Sequence, residues 1–329
     1  MLNETHDTRA ELLASPLRPT INLRYQVMTE ERLHAAIEMG CGQGFDEEYW
    51  PWIRVRRRLS SRASNLFLLC TCVHRRQLHL LSGLEAKCAL LASWLGARQI
   101  REQYPLWPHQ HLHPNAGRWT QPNCIWAPGL LNIARDAGIR HGVYPGTNVP
   151  YVATADFLLD APSDRSCKLV LIAAKPFDQL SATNSRTKRI YERLELQRRY
   201  ANAVGARYFE FNGNEATDML YANLDWLMPR HSQLKQLDSS IDLQRFAAKF
   251  GQYCFTESIK SSKKRAAVSL AIADDAQINR YFFLTLWLGL VNVDLRAPLI
   301  IDRPLSRDLD GFKQLLSERF FGQKQVSKP

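Results

Sequence analysis

The chain has 329 residues, of which 45% are hydrophobic and 23% are charged, and its formal net charge is +11. At about 100–200 residues per domain, this length predicts two or three domains, and the apolar content excludes a mainly disordered chain. A membrane span needs about 20 consecutive apolar residues, whereas the longest apolar run, Tyr281–Val291, is shorter and contains Thr285. Met1–Thr20 lacks the apolar core of a signal peptide. We therefore expect a soluble protein that stays in the cytoplasm and uses no membrane.

The cysteines indicate the compartment, and the charge balance gives an indication of a partner. Seven cysteines occur without regular spacing, which is typical of buried thiols in a reducing compartment. The excess of basic residues is a weak indication of a polyanionic partner such as nucleic acid.

The N-terminal region is predicted to be an arm followed by a helix. Thr29 is a suitable N-cap, Glu30 and Glu31 follow in the first turn, and Leu33 begins a helical repeat. The glycines of Gly40–Gly44 come after this helix. A dinucleotide-binding loop would need a strand before them, so we interpret them as a connection.

A run of arginines follows two tryptophans, and it has two interpretations. Charged residues protect the edge strand of a sheet from pairing with another chain. Arginines of one sign also repel each other unless an anion is near, which favours phosphate contact. The run comprises Arg54, Arg56, Arg57 and Arg58, with Arg62 just beyond.

A hairpin end and a second helix are predicted next. Ser82 is a good N-cap, Glu85 stands three residues later, and the helical repeat runs to Gly96. Residues 101–106 then run into a loop, Trp107–Pro128, which contains three alternating histidines. These histidines have no partner at the usual zinc spacing, so the role of this insert stays open.

The region Val149–Phe211 has the clearest pattern of strands and helices. In Val152–Leu159 the alternation puts Ala155 and Phe157 on one face and Asp156 on the other. A turn, a second strand, a helix, a third strand and another helix follow, which together predict a mixed sheet flanked by helices. These elements are Lys168–Ala174, Arg186–Val204, Ala206–Phe211 and Glu215–Met228.

The C-terminal region is predicted to be a smaller module. Helix-like segments at Leu243–Phe250 and Ala276–Leu288 flank the basic cluster Lys263, Lys264 and Arg265, and Val291–Asp302 looks extended. Helices followed by a short hairpin suggest a winged helix. The predicted organisation is an arm at 1–29, an α/β domain at 30–230, a linker at 231–241 and a winged-helix-like domain at 242–329.

Two residues on neighbouring strands outline a possible chemistry. Lys175 ends a buried strand, and Asp156 lies on the strand before it. With a carboxylate from a nearby helix, this set would suit metal-dependent cleavage of a phosphodiester, because carboxylates bind Mg²⁺ and a lysine orients water and offsets charge. The spacing alone is not specific.

From Gly40 to about Pro229 the chain resembles the TnsA family, the endonuclease subunits of heteromeric cut-and-paste transposases, which have a restriction-endonuclease-like fold. The similarity rests on several blocks in one order, which together are more specific than any one of them. The blocks are Gly42–Gly44, Tyr49–Trp52, Leu80–Glu85, Ile100–Leu106, Gly138–His141, Thr154–Asp160, Ile172–Pro176 and Arg193–Tyr200.

The resemblance implies that Glu85, Asp156 and Lys175 are the catalytic set. Glu85, Asp156 and the backbone carbonyl of Ala173 would bind Mg²⁺, with Mn²⁺ as a substitute, and Lys175 would assist the attacking water. Each residue also has a structural interpretation, because Glu85 suits a capping box and the other two suit strand ends. Glu102 is a secondary candidate for which we prefer a structural role.

Two positions depart from the family pattern. Ala173 stands where the family has a polar side chain, so only its backbone could face a metal ion. Gln197 stands where we expect another acidic residue. If either side chain is essential, the activity of this chain is impaired.

The function implied by the resemblance is cleavage of the 5′ strands at transposon ends in double-stranded DNA. The expected partners are a TnsB-like transposase and a TnsC-like AAA+ ATPase regulator, in a bacterial cytoplasm and at the nucleoid. Phosphate contacts would come from Arg54, Arg56, Arg57, Arg58, Lys263, Lys264 and Arg265. Two alternatives stay open: a catalytically impaired DNA-binding or assembly subunit, and a stand-alone restriction or repair nuclease.

Overall fold

The computed structural model describes residues 27–55, 67–70, 76–117, 125–165, 168–176, 185–229 and 241–323. The strands are β1 (Phe67–Cys70), β2 (Gln77–Leu80), β3 (Gln99–Leu106), β4 (His111–Leu112), β5 (Trp126–Ala127), β6 (Ala153–Asp160), β7 (Leu169–Ala174) and β8 (Arg207–Phe211). The helices are α1 (Glu30–Glu38), α2 (Gly83–Trp94), α3 (Leu130–Asp136), α4 (Ser185–Ala203), α5 (Asp218–Leu227), α6 (Ile241–Tyr253), α7 (Ile259–Ser269), α8 (Asp275–Leu288) and α9 (Phe312–Phe321). Within the described ranges, every helix is too short or too polar to cross a membrane.

A four-stranded mixed sheet confirms the α/β class predicted from the sequence. Its strand order is β3-β6-β7-β8. The β3–β6 and β6–β7 pairs are antiparallel, whereas β7 and β8 are parallel and are joined across α4. Strand β3 was not predicted; the sequence analysis assigned no secondary structure to residues 101–106, which form part of this strand before the loop at Trp107.

Two hydrophobic cores cover the two faces of this sheet. The first core packs the sheet against α2, α5 and the C-terminal helices, and the second packs it against α3 and α4. Representative residues of the first core are Leu91, Ile100, Phe157, Leu159, Ile172, Phe211, Leu224, Phe246, Phe282 and Phe320. Those of the second core are Tyr104, Leu106, Ile133, Ala155, Leu158, Leu171, Leu196 and Tyr200.

Strand β6 departs from the simple alternation expected of it. Phe157 packs in the first core, whereas Ala155 packs in the second. Regular alternation would put both residues on one face. The change of face falls at Asp156, which lies between the pairs Glu102–Phe157 and Tyr104–Ala155 of the β3–β6 ladder. Asp156 therefore sits where the regular sheet is interrupted.

Strand β3 is buried along its whole length although it carries charged side chains. Both carboxylate oxygens of Glu102 accept from Arg76, with Nη1–Oε1 and Nη2–Oε2 distances of 2.7 Å. Arg101 Nη2 lies 3.0 Å from Asp160 Oδ1. Burying a charge is unfavourable unless it is paired and hydrogen-bonded, so these two ion pairs are what allow β3 to lie inside the protein.

The C-terminal region packs against the sheet-containing region. The Asn223 side chain donates to the carbonyls of Leu295 and Ala297, and Arg165 donates to Ser317. The expected extended segment at Val291–Asp302 contributes one antiparallel bridge, Val293–Arg307, in place of a strand. Of the predicted linker 231–241 only residue 241 is described, so the winged-helix module and the domain boundaries stay predictions.

We expect Glu102→Ala to lower the free energy of unfolding by about 3–5 kcal/mol, because it leaves the Arg76 guanidinium buried without its carboxylate. Urea denaturation measures this loss. The matched control is Asp136→Asn, which removes the carboxylate of the exposed pair Arg135–Asp136 and should change stability by less than about 1 kcal/mol. Equal losses in the two variants would contradict the structural role of Glu102.

Candidate active site

Glu85 lies in the first turn of α2, where the local sequence fixes its position. Ser82 is the N-cap, and its hydroxyl accepts from the Glu85 N–H at 3.1 Å. The Glu85 carboxylate bonds back to the loop, accepting from Leu81 N–H at 2.9 Å and from the Ser82 hydroxyl at 3.2 Å. Gln103 of β3 also donates to Oε2 at 3.1 Å. Glu85 thus makes the contacts of a capping residue and also reaches across to the sheet.

Asp156 and Lys175 form a direct ion pair at the end of β7. Lys175 Nζ lies 2.7 Å from Asp156 Oδ2, and the Ala174 N–H donates to the same oxygen at 2.7 Å. Lys175 Nζ also donates to the Ala174 carbonyl at 2.9 Å. The side chains of Lys175 and Asp156 are 29% and 14% exposed, so an external phosphate could approach them.

The charge of Asp156 acts on Glu85, which brings the third residue into the same cluster. Burial and, next to it, the negative charge of Asp156 raise the pKa of Glu85 from 4.5 to about 7. Hydrogen bonds from Leu81 and Ser82 and the charge of Lys175 oppose this rise. The geometry agrees, because Gln103 donates to Glu85 and lies opposite Asp156 in the register of β3 and β6, so Glu85 lies near Asp156 and Lys175 although the three are far apart in the sequence.

The backbone carbonyl nearest to this cluster is that of Ala174. Peptide groups of successive residues in a strand point to opposite sides. Lys175 N–H donates to Phe211 in β8, so the peptide group of Ala173, two residues earlier, also faces β8. The expectation that the Ala173 carbonyl faces a metal ion therefore does not fit this geometry, because the Ala174 N–H and carbonyl lie on the side of Asp156.

The oxygens of this cluster suit a small hard cation. The Lys175 ammonium contacts both Asp156 Oδ2 and the Ala174 carbonyl, so these two oxygens already converge on one positive charge. Glu85 adds a second carboxylate. Mg²⁺ is typically held by one or two carboxylates and several waters. In the described part of the chain, three or more His, Cys, Asp or Glu side chains nowhere come together as a metal-binding group.

The predicted DNA-contacting residues are distributed unevenly. Arg56, Arg57 and Arg58 lie outside the described residues. Arg54 is exposed, with its guanidinium 5.3 Å from the centre of the Trp50 ring. In α7, Lys263 donates to Asn279 and Arg265 pairs with Glu257, whereas Lys264 is exposed.

Three other features of the sequence analysis, namely Glu102, Gln197 and the insert Trp107–Pro128, have structural contacts. Glu102 pairs with Arg76 and not with the cluster, as the preferred interpretation predicted. Gln197 donates to the Thr154 carbonyl at 3.2 Å. In the insert, His111 contacts the Tyr200 hydroxyl at 2.8 Å and His113 contacts the Val204 carbonyl at 3.0 Å. The described part of the insert is therefore hydrogen-bonded to α4 and to the residue that follows its C-terminal end.

Gln103 is the site residue that the sequence analysis missed. It is buried, its amide contacts Glu85, and it lies opposite Asp156 in the register of β3 and β6. Its place within the block Ile100–Leu106 was the available signal, but only the neighbouring Glu102 was considered there.

The fold and the cluster define a mixed α/β protein with two carboxylates and a lysine at a point where the sheet is interrupted. No family model matches the chain. Among curated proteins, it is similar to the transposon Tn7 transposition protein TnsA of Escherichia coli, with 31% identity over 202 residues. The match covers 60% of this chain and 63% of that protein, so the chain spans less than two thirds of its relative. The resemblance predicted from the sequence is confirmed: the chain is similar to a TnsA protein.

We expect Glu85→Gln to change how stability depends on pH. The raised pKa of Glu85 means that the folded protein holds a proton that the unfolded chain releases from about pH 4.5 upward. Ionisation of Glu85 therefore destabilises the fold progressively between about pH 4.5 and 7. Thermal unfolding in EDTA should show the wild type losing roughly 2–3 kcal/mol relative to the variant between pH 5 and pH 8. A difference in stability between the wild type and the variant that is equal at pH 5 and pH 8 would contradict the raised pKa of Glu85.

Proposed function

We propose that this protein is a metal-dependent DNA endonuclease that acts as a subunit of a transposase. The observation that carries the proposal is the Asp156–Lys175 ion pair at the end of β7, to which Glu85 is linked by Gln103, its hydrogen-bond donor and the residue opposite Asp156. Two carboxylates and a lysine suit phosphodiester hydrolysis, because the reaction needs a cation and a group that offsets developing negative charge. The similarity to a transposition protein supports the biological setting.

Each residue has a defined task in this proposal. Glu85 and Asp156 would hold Mg²⁺ with the carbonyl of Ala174, in place of the Ala173 carbonyl expected earlier. When bound, the ion would polarise the phosphate and lower the pKa of a water. Lys175 moves from Asp156 toward the attacking water or a phosphate oxygen, which its partly exposed side chain permits.

The wider role follows from the resemblance to the TnsA family. We propose cleavage of the 5′ strands at transposon ends, in a bacterial cytoplasm, together with a TnsB-like transposase that processes the 3′ strands. A TnsC-like AAA+ ATPase would regulate the assembly. The C-terminal helices, which we propose to be winged-helix-like, would contact DNA or one of these partners.

We expect Asp156→Asn and Lys175→Met to lower Mg²⁺-dependent nicking by about 100-fold or more, the usual cost of removing one group that stabilises charge in a transition state. The assay uses a plasmid carrying the transposon ends, with the partner transposase present. Lys168→Met is the matched control, because Lys168 precedes the other end of β7 and its ammonium contacts only the carbonyls of Ser163 and Arg165 among the described residues.

Three results of this assay would contradict the proposal. One is equal activity of the wild type and both variants. Another is activity that persists in EDTA. A third is an inert wild type whose DNA binding and assembly are intact, and this result would favour the impaired assembly subunit.

We expect DNA binding to weaken steeply between 50 and 200 mM salt, because each phosphate contact releases counterions. Lys264→Ala should reduce the slope of log K against log salt by about 0.9 if Lys264 contacts one phosphate. Fluorescence anisotropy with a short duplex measures the slope, with Lys168→Ala as the control. Binding that is insensitive to salt would exclude a phosphate-driven interaction.

A further inference from the structure

Gln103 has a backbone conformation that its side chain disfavours. Its φ is +48°, in the left-handed region that residues other than glycine and asparagine rarely adopt. It lies within a strand and is only 1% exposed. A residue held in such a conformation is a reason to ask what the surrounding structure gains from it.

The backbone of Gln103 does not explain the choice of residue. Its carbonyl accepts from the Trp52 N–H at 3.3 Å. Glycine would provide the same carbonyl and would adopt the same φ without strain. The feature that glycine cannot replace is the side-chain amide, whose Nε2 donates to Glu85 Oε2 at 3.1 Å.

The hydrogen bonds of Glu85 show what the Gln103 amide contributes to the site. Oε2 accepts from both Leu81 N–H and Gln103, and two hydrogen bonds fill the usual capacity of a carboxylate oxygen. Oε1 accepts from the Ser82 hydroxyl and so retains capacity for a cation. Leu81 and Ser82 belong to the loop before α2, whereas Gln103 belongs to β3, opposite Asp156. Among the described residues, Gln103 is therefore the one that hydrogen-bonds the Glu85 carboxylate to the sheet.

We propose that Gln103 is a positioning residue that holds the Glu85 carboxylate in the orientation needed to bind a divalent cation jointly with Asp156. This role rests on the proposed function, because it presumes that Glu85 and Asp156 hold a metal ion. Gln103 itself acts through Glu85 and contacts neither the ion nor the DNA.

The test compares Gln103→Gly and Gln103→Asn with the full-length wild type. Glycine suits the positive φ and removes the amide; asparagine tolerates this φ and keeps an amide that is one methylene too short to reach Glu85. Both variants should melt close to the wild-type temperature. Calorimetric titration with Mn²⁺ alone should show a 10–100-fold larger dissociation constant, the usual effect of losing a partner of a metal ligand. Nicking should recover as the Mg²⁺ concentration rises.

Failure of the positioning role can be told apart from failure of the proposed function. Wild-type Mn²⁺ affinity in both folded variants would overturn the positioning role while leaving the nuclease intact. A loss of nicking that high Mg²⁺ does not restore, with unchanged Mn²⁺ affinity, would also overturn it. If the wild type neither binds Mn²⁺ nor nicks DNA, the proposed function fails and the positioning role fails with it. Weaker Mn²⁺ binding with rescue by Mg²⁺ supports both.

Discussion

The carboxylate of Asp156 takes the place of a backbone acceptor in the sheet, and the geometry of the site depends on this substitution. The paired residues of β6 and β7 end at Phe157 and Ile172. Beyond that pair, the Ala174 N–H donates to the Asp156 side chain instead of to a main-chain carbonyl. This contact holds the two strands together while leaving Lys175 and the Ala174 carbonyl at the same edge. The Asp156 carboxylate thus contributes both to the pairing of β6 with β7 and to the geometry of the site, so a change at Asp156 affects both.

Local signals were sufficient for much of the fold. The Ser82 cap defined the start of α2, and therefore the position of Glu85, because capping depends on residues three apart. The apolar run of β7 and the helical repeat of α4 were also sufficient to predict these two elements. Strand β3 could not be predicted in this way. Its charged residues are buried only because Arg76 and Asp160, distant in sequence, neutralise them, and no short window contains both members of either pair.

The same limit applies to the finer features of the site. The resemblance to the TnsA family implied that the backbone carbonyl of Ala173 faces the metal ion. Which peptide groups point toward the cluster depends on the neighbour to which each strand is bonded, and the bond from Lys175 N–H to β8 decides it. The contact between Gln103 and Glu85 likewise requires β3 to lie next to α2. The sequence could therefore nominate the three principal residues, but not the groups that orient them.

The first core has a consequence for how this protein can be divided. Phe246, Phe282 and Phe320 of the C-terminal helices belong to the same apolar cluster as Leu91 of α2 and Ile172 of β7. Removing everything after Pro229 would therefore uncover an apolar layer behind the helix that carries Glu85. The helix that carries Glu85 and the C-terminal helices therefore share one hydrophobic core.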